Sequence, residues 1–203
     1  MTLVRTAFAQ LALFGAGWFA WTLGEYVLHR YAMHELRGRG YPSKEHLLHH
    51  ASNETRLTSW ILSWIGIALT GTLMGWALAP AFGLGWVLGY TYYELQHYWA
   101  HRRPPRSAYQ RFLRKHHFHH HFGHPMANQG VTVPVWDWVF GSYESVDTVR
   151  VPRRMAMAWL LDEDGEIRPE HRGDYELAGR LPATVEQGAR DHTDAFANRA
   201  PAV

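Results

Sequence analysis

The chain of 203 residues contains no cysteine. This absence excludes disulfides, thiolate zinc sites and iron–sulfur clusters, so any metal must be bound by histidine, with aspartate, glutamate or asparagine in support. An excess of charge of one sign is also missing, because 20 basic residues nearly balance 18 acidic ones and leave a formal net charge of +2. A chain so balanced gives no indication of nucleic-acid binding.

Charged residues are almost missing from three apolar segments, residues 6–28, 57–79 and 81–100. A membrane-spanning helix needs roughly 20 mostly apolar residues. Gly and Trp are frequent in all three, as expected for close helix packing and interfacial anchoring. We predict an all-α integral membrane bundle of about three spans with a cytoplasmic helical cap. Ala79-Pro80 is predicted to break the last two spans into a hairpin. A soluble bundle with three buried helices is the alternative.

Basic residues predict the orientation of these spans. They concentrate in residues 35–56 and 102–115, whereas the turn at Pro80 has none. Under the positive-inside rule both basic segments lie in the cytoplasm, and a bacterial cytoplasmic membrane is the expected location. Residues 145–203 are polar and are predicted to form a C-terminal appendage, with a short hairpin or helix and a disordered end from about residue 190.

Histidine is abundant, with 15 residues in the chain. Ten of them form four clusters at the ends of the apolar segments: His29 and His34; His46, His49 and His50; His97 and His101; His117, His120 and His121. Positions i, i+3 and i+4 share one face of a helix. The first pair is five residues apart and converges only if its helix ends or bends. Neutral imidazole is the commonest metal ligand, and ten exceed what one ion can use, so the sequence predicts a two-metal centre.

Two carboxylates accompany the clusters. Glu25 lies one helical turn before His29 and is predicted to orient that imidazole through its other ring nitrogen. Glu94 has the same relation to His97 and could orient His97 or His101, or bind a metal directly. Carboxylate di-iron bundles use two Glu-x-x-His pairs, and here Glu94 and His97 form the only such pair. The predicted site is therefore dominated by histidine.

The remaining histidines are less informative. The run at 116–121 fits the same spacing in a second register, formed by His116, His119 and His120. His171 and His192 stand alone in the polar region and are predicted to lie at the surface.

Five blocks of sequence carry a resemblance to a known family. They are GEYVLHRYAMH at 24–34, EHLLHH at 45–50, QHYWAH at 96–101, RKHHFHHHFGH at 114–124 and GVTVPVWDWVFGS at 130–142. Together they resemble the fatty acid hydroxylase superfamily, the integral-membrane di-iron group that includes sterol desaturases, and most of all its fatty acid 2-hydroxylase branch. Alignment from the last block selects the register with His117, His120 and His121. It also places His124 and Asn128 where the family has polar residues near the site.

The resemblance implies a catalytic membrane domain at residues 1–144, with the ten clustered histidines holding two iron ions, or zinc in isolated protein. It implies O₂-dependent hydroxylation of a long-chain lipid, with one oxygen atom inserted and the other released as water. No cytochrome b5-like domain precedes the first span, so a separate ferredoxin-type or cytochrome-type donor is expected. The basic strip Arg102–Lys115 is a candidate docking surface, although binding of lipid phosphates or fixing of topology explains it equally well.

Two alternatives stay open. The first keeps the chemistry and changes the substrate to a carotenoid or sterol-like ring, or changes the outcome to desaturation. The second is a non-catalytic metal-handling membrane protein. A transporter would place ionisable groups at the middle of the bilayer, whereas Glu25, Glu94 and His97 lie near the ends of the apolar segments. Tyr90–Tyr93 is predicted to line an acyl channel or to form an aromatic belt.

Overall fold

A computed structural model describes residues 2–55 and 61–179 of the chain, most of them helical. Its helices are α1 (Thr2–Val27), a π-helix (Leu28–Glu35), α2 (Tyr41–Ser52), α3 (Ile61–Ala77), α4 (Pro80–Arg102), α5 (Ala108–Phe122) and α6 (Val135–Phe140). Two short strands follow, β1 (Val149–Pro152) and β2 (Tyr175–Ala178), with 3₁₀ turns at Arg153–Met155 and Pro169–His171. The predicted disordered end and His192 lie outside the described residues.

Helix α4 packs between α1 and α3, and glycines allow the close approach. A Cβ atom at Gly17 of α1 would lie 2.0 Å from the carbonyl oxygen of Phe82, and one at Gly83 would lie 2.2 Å from that of Gly71. No side chain fits at such distances, so the glycines bring helix backbones into contact. The predicted break between α3 and α4 is confirmed, because Ala79 is extended and Pro80 begins α4.

One continuous helical stretch, Arg5–Glu35, is long and apolar enough to cross a bilayer. Helix α3, Ile61–Ala77, is also apolar but shorter, and residues 57–60 of the predicted second span lie outside the described residues. The outward faces of α1 and α3 expose large apolar side chains, among them Phe8, Leu11, Phe19, Ile61, Leu62, Leu69, Leu73 and Trp76. Soluble monomers rarely expose continuous apolar surface of this extent.

The region after residue 144 shares an apolar core with α4 and α5. Val149, Val151 and Leu160 are buried with Phe118 of α5. The indole of Trp159 donates a hydrogen bond of 3.0 Å to the carbonyl oxygen of Ala100. The segment through residue 179 is therefore packed against α4 and α5, although its composition is polar.

The strands of this region pair in parallel, with Val149 opposite Tyr175, so the predicted hairpin does not join them. Parallel strands need a long crossover connection, which residues 153–174 provide. The predicted turn at Asp164-Gly165 is present, with Gly165 at φ 75°, and a single antiparallel bridge joins residues 161 and 167 across it. The surface position predicted for His171 is wrong: it is 6% exposed and packs its ring against Trp159.

Candidate metal centre

The structure brings all ten predicted histidines together in two groups of five. The first group is His29, His34, His46, His50 and His120, and the second group is His49, His97, His101, His117 and His121. Within each group, one ring nitrogen of every residue lies within 4.8 Å of the others. The groups adjoin, because the rings of His50 and His121 stack with centroids 4.1 Å apart.

Helices α2 and α5 contribute to both groups, whereas the π-helix contributes only to the first and α4 only to the second. Helical geometry explains the division on α2. His46 and His50 are one turn apart, but consecutive residues such as His49 and His50 point about 100° away from each other. Adjacent histidines on one helix therefore serve different groups.

The relation between His29 and His34 differs from the prediction. The helix does not end between them but continues as a π-helix. Hydrogen bonds from residue i to residue i+5 place residues five apart on the same face, and such segments are frequent at functional sites. The ring centroids of the pair are 5.1 Å apart, so both reach the first group.

In the first group the five Nε2 atoms face one another. The Nε2 atom of His46 lies 2.9 Å from those of His29 and His34 and 3.0 Å from that of His50. The Nε2 atom of His120 lies 3.0 Å from that of His34 and 3.1 Å from that of His50. Neutral imidazoles carry only one proton each, so they cannot satisfy all these nitrogens among themselves. A metal cation between them would satisfy the lone pairs.

The second group shows the same need for a cation. The Nε2 atoms of His101 and His117 are 2.9 Å apart. The Nε2 atom of His49 is buried and has no hydrogen-bond partner among the described residues. A buried nitrogen without a partner costs free energy, and metal ligation would recover it. Both groups therefore fit metal ions.

Burial also keeps these rings in the form that binds metals. Loss of hydration holds the pKa of His50, His117 and His120 well below the usual value, and neighbouring imidazoles lower it further. The rings are consequently neutral near pH 7, as metal ligation requires.

Backbone carbonyl groups of the described chain orient His29, His49 and His120, and these partners were not predicted from the sequence. The Nδ1 atom of His29 donates to the carbonyl oxygen of Gln129 at 2.5 Å, and that of His120 donates to Ala127 at 2.8 Å. The Nδ1 atom of His49 donates to Glu54 at 2.6 Å. These bonds fix the proton on Nδ1 and leave Nε2 free to bind. Every residue has a carbonyl group, so no sequence signal marks these three.

The orienting role predicted for Glu25 is wrong. Its carboxylate accepts hydrogen bonds from the backbone nitrogens of Val131 and Thr132, at 2.6 and 2.9 Å, and from the Thr132 hydroxyl at 2.6 Å. Glu25 thus secures the chain that follows the loop bonded to His29. Glu94 is buried, and no hydrogen bond joins it to a histidine within the described structure. It lines a cavity beside His97.

The two polar residues expected near the site, His124 and Asn128, differ in burial. His124 is exposed and donates to Glu144 at 2.7 Å, away from both histidine groups, so its predicted place is wrong. Asn128 is buried. Its side-chain Nδ2 donates to the carbonyl oxygen of Glu144 at 3.0 Å, and its Oδ1 accepts from the backbone nitrogen of Glu144 at 2.8 Å. Of the alternative register, His119 also bonds Glu144, and His116 bonds Asp137. Neither belongs to a group.

An apolar cavity of about 480 Å³ reaches both histidine groups. It lies between α1, the π-helix, α2, α3 and α4, and it extends to His46 of the first group and His97 of the second. Trp21, Tyr90 and Tyr93 line its walls. Tyr90 and Tyr93 therefore face a channel-like space, as one of the two predictions for that stretch proposed.

Three cations of the basic strip Arg102–Lys115 are engaged in contacts within the protein and do not form a free docking surface. Arg114 is buried and donates to the carbonyl oxygens of Trp99 and Arg103. Arg111 and Lys115 form ion pairs with the carboxylate of Asp174. These three side chains hold α5 in place. The exposed cations of the strip are Arg102, Arg103, Arg106 and Arg111, and the last of these is paired with Asp174.

Known proteins resemble this chain in sequence and in fold. A family model described as fatty acid hydroxylase matches residues 14–142. A dihydroceramide fatty acyl 2-hydroxylase from Arabidopsis thaliana is 31% identical, covering 68% of this chain and 62% of its own. Fatty acid 2-hydroxylase from Homo sapiens is 30% identical, covering 63% and 38%. A solved structure of full-length scs7p, in which only the hydroxylase domain is visible, has a TM-score of 0.58 at 31% identity, covering 68% and 57%.

The chain thus spans less than two thirds of the length of these relatives. The match nevertheless includes all four histidine clusters, the π-helix and the loop whose carbonyl groups orient His29 and His120. The family model covers more than half of the chain. This chain belongs to the fatty acid hydroxylase family.

Proposed function

We propose that the protein is a membrane-bound, O₂-dependent di-iron hydroxylase acting on the acyl chain of a lipid. The observation that carries this proposal is the apolar cavity lined by His46 and His97, one residue of each histidine group. A water-poor cavity of this kind suits an acyl chain and protects reactive chemistry from water. The relatives named as acyl 2-hydroxylases support the same substrate class.

The spacing of the nitrogens favours an octahedral ion, such as iron, over tetrahedral zinc. Ligands about 2.1 Å from a metal lie about 3.0 Å apart at right angles and about 3.4 Å apart in a tetrahedron. Five pairs of Nε2 atoms in the first group lie 2.9 to 3.1 Å apart. Structural zinc is almost always tetrahedral with four ligands, whereas five imidazoles at right-angled spacing suit an octahedral ion. We infer that the ten histidines hold two iron ions, with zinc able to replace them.

Two iron ions bound here would supply the redox chemistry for O₂: one atom enters a C–H bond to give an alcohol, and the other leaves as water, consuming two electrons and two protons. The residues of the protein would position the acyl chain and the ligating histidines and protect the reaction from water. Trp21, Tyr90 and Tyr93 line the cavity, where they would enclose the acyl chain and exclude water. The carbonyl groups of Ala127 and Gln129 keep His120 and His29 in the ligating tautomer.

We further propose three membrane spans, formed by α1, α3 and α4, with the histidine groups on the cytoplasmic side. The exposed apolar faces of α1 and α3 and the basic segments that flank the spans support this orientation. Residues 1–144 would form the hydroxylase unit, and the segment that follows would brace α5. Electrons would come from a separate ferredoxin-type or cytochrome-type donor, which the exposed Arg103 and Arg106 could bind.

Isotope labelling tests the function. Cells expressing the protein are grown under ¹⁸O₂, and their lipids are analysed by mass spectrometry. We expect hydroxylated acyl chains that carry one ¹⁸O atom. The variant His120→Ala removes a proposed ligand and should abolish the product, whereas His119→Ala, one residue away on α5 but outside both groups, should retain it.

Two results would contradict the proposal. One is a wild-type lipid profile without oxygenated product, although the purified protein carries metal. The other is full activity of His120→Ala. Product on a carotenoid or sterol ring, or an unsaturated chain without ¹⁸O, would refute the acyl hydroxylation assigned here and leave the metal centre intact.

A further inference from the structure

Asp137 is a fully buried carboxylate at the start of α6, 0% exposed. Each of its oxygens accepts two hydrogen bonds. Oδ1 accepts from the backbone nitrogen of Gln129 at 2.7 Å and from the Ser142 hydroxyl at 2.7 Å. Oδ2 accepts from the backbone nitrogen of Gly130 at 2.9 Å and from Nε2 of His116 at 3.1 Å. Burial raises the pKa of Asp137, but these bonds outweigh it and leave the pKa below its usual range.

Asp137 bonds the backbone nitrogens of Gln129 and Gly130, which belong to residues 127–130, the segment that we name the carbonyl loop. The loop is strained and tightly fitted. Asn128 has a left-handed φ of 55°, and a Cβ atom at Gly130 would lie 2.1 Å from the carbonyl oxygen of Val133. A loop of this shape needs external bonds to persist. The carboxylate of Asp137 supplies two of them to consecutive backbone nitrogens.

Among the described residues, the carbonyl loop bonds histidines of one group only. Its carbonyl oxygens at Ala127 and Gln129 accept the Nδ1 protons of His120 and His29, both of the first group. In the second group, His49 takes its orienting bond from Glu54, at the end of α2 and far from the loop in sequence. Different segments of the backbone therefore orient the histidines of the two groups.

We propose that Asp137 is the positioning residue of the first histidine group, acting through the carbonyl loop to fix the tautomer and direction of His29 and His120 while leaving the second group unaffected. The inference rests on the metal sites proposed above. It makes the two ions unequal: the affinity of one depends on Asp137, and that of the other does not. Partners of this kind typically contribute a factor of about 10 to 100 in metal affinity.

The substitution Asp137→Asn tests the bonding directly. Both carboxylate oxygens accept a backbone N–H, so an amide in either orientation turns an NH₂ group against one of these donors. Asp174→Asn is the matched control. Asp174 is also a buried aspartate, but its carboxylate pairs with Arg111 and Lys115 of α5.

The readout is zinc affinity, measured on full-length protein in detergent by competition with a chromophoric chelator. Two parent variants each keep one intact group: His49→Ala with His101→Ala keeps the first, and His34→Ala with His46→Ala keeps the second. Adding Asp137→Asn should weaken zinc binding by about 10- to 100-fold in the first parent and by less than about 3-fold in the second. Asp174→Asn should change neither parent.

Ser142→Ala covers the case in which Asp137→Asn fails to fold. It removes one of four bonds to Asp137 and keeps both backbone bonds, so a smaller loss in the first parent alone is expected. Equal losses in both parents, or none in the first, would overturn the inference. Absence of zinc binding in both parents would overturn it together with the metal sites. Zinc affinity does not require turnover, so a failure of the hydroxylase assignment alone would leave this result standing.

Discussion

Replacing Gly66 with leucine should shorten the acyl chain that the protein accepts. Gly66 of α3 lines the apolar cavity, and a Cβ atom added there meets no described atom within 4 Å. The new side chain can therefore enter the cavity without displacing the bundle. Its four carbons would take the space of three or four methylene groups of a bound lipid.

The magnitude follows from burial. Each buried methylene contributes about 0.8 kcal/mol, so three or four displaced groups cost about 2.4 to 3.2 kcal/mol. That cost corresponds to a loss of about 60- to 200-fold in kcat/KM for the longest chains. Chains shorter by three or four carbons should be hydroxylated at nearly the wild-type rate. The assay is competition between acyl chains of different length, with hydroxylated products quantified by mass spectrometry.

Gly15→Leu is the matched control, because Gly15 of α1 also has open space at its Cβ position but does not line the cavity. It should leave the chain-length profile unchanged. The reasoning would be refuted if Gly66→Leu kept the wild-type profile, or if both variants shifted it alike. A uniform fall in rate at every chain length would show that the cavity does not hold the acyl chain.

Three further predictions follow. Gly17→Ala should lower the free energy of unfolding by about 1 to 3 kcal/mol through overpacking against α4, whereas Gly15→Ala should be neutral or slightly stabilising; thermal unfolding in detergent compares them, and equal effects would contradict the packing. In metal-free protein the buried histidines stay neutral, whereas the same residues in the unfolded chain gain protons below about pH 6.5. The free energy of unfolding should therefore fall as the pH decreases, by up to about 1.4 kcal/mol per pH unit for each such residue. A free energy of unfolding that stays constant between about pH 7 and about pH 5 would contradict their burial. Arg103→Glu with Arg106→Glu should slow reduction by a protein donor and weaken its salt dependence but leave reduction by dithionite unchanged; an unchanged donor rate would assign these cations to lipid or topology.

The helical positions of the histidines could be predicted from the sequence, because spacings of three and four residues report one face of a helix. The division into two groups could not. His49 and His50 are neighbours, and only the packing of α2 against the other helices sends their rings to different groups. The spacing of His29 and His34 likewise conflicts with an ordinary helix, and the π-helix that resolves the conflict has no sequence rule of its own.

The groups that orient the ligands were the least predictable. Glu25 is correctly spaced for His29 on one helix, yet its carboxylate bonds the backbone at 131 and 132. A fully buried carboxylate needs several donors, and two backbone nitrogens with a hydroxyl satisfy it better than one imidazole. The actual partner of His29 is a carbonyl group 100 residues away, at Gln129. Asp137 bonds the backbone nitrogens of Gln129 and Gly130 on either side of that carbonyl group, and nothing in the sequence predicted this role.

Anomalous diffraction at the iron absorption edge, from crystals of protein purified with its native metal, tests the central claim most directly. The account predicts two peaks per chain, one among the Nε2 atoms of His29, His34, His46, His50 and His120, and one among the ring nitrogens of the other five histidines. A single peak, or peaks outside these two groups, would contradict it.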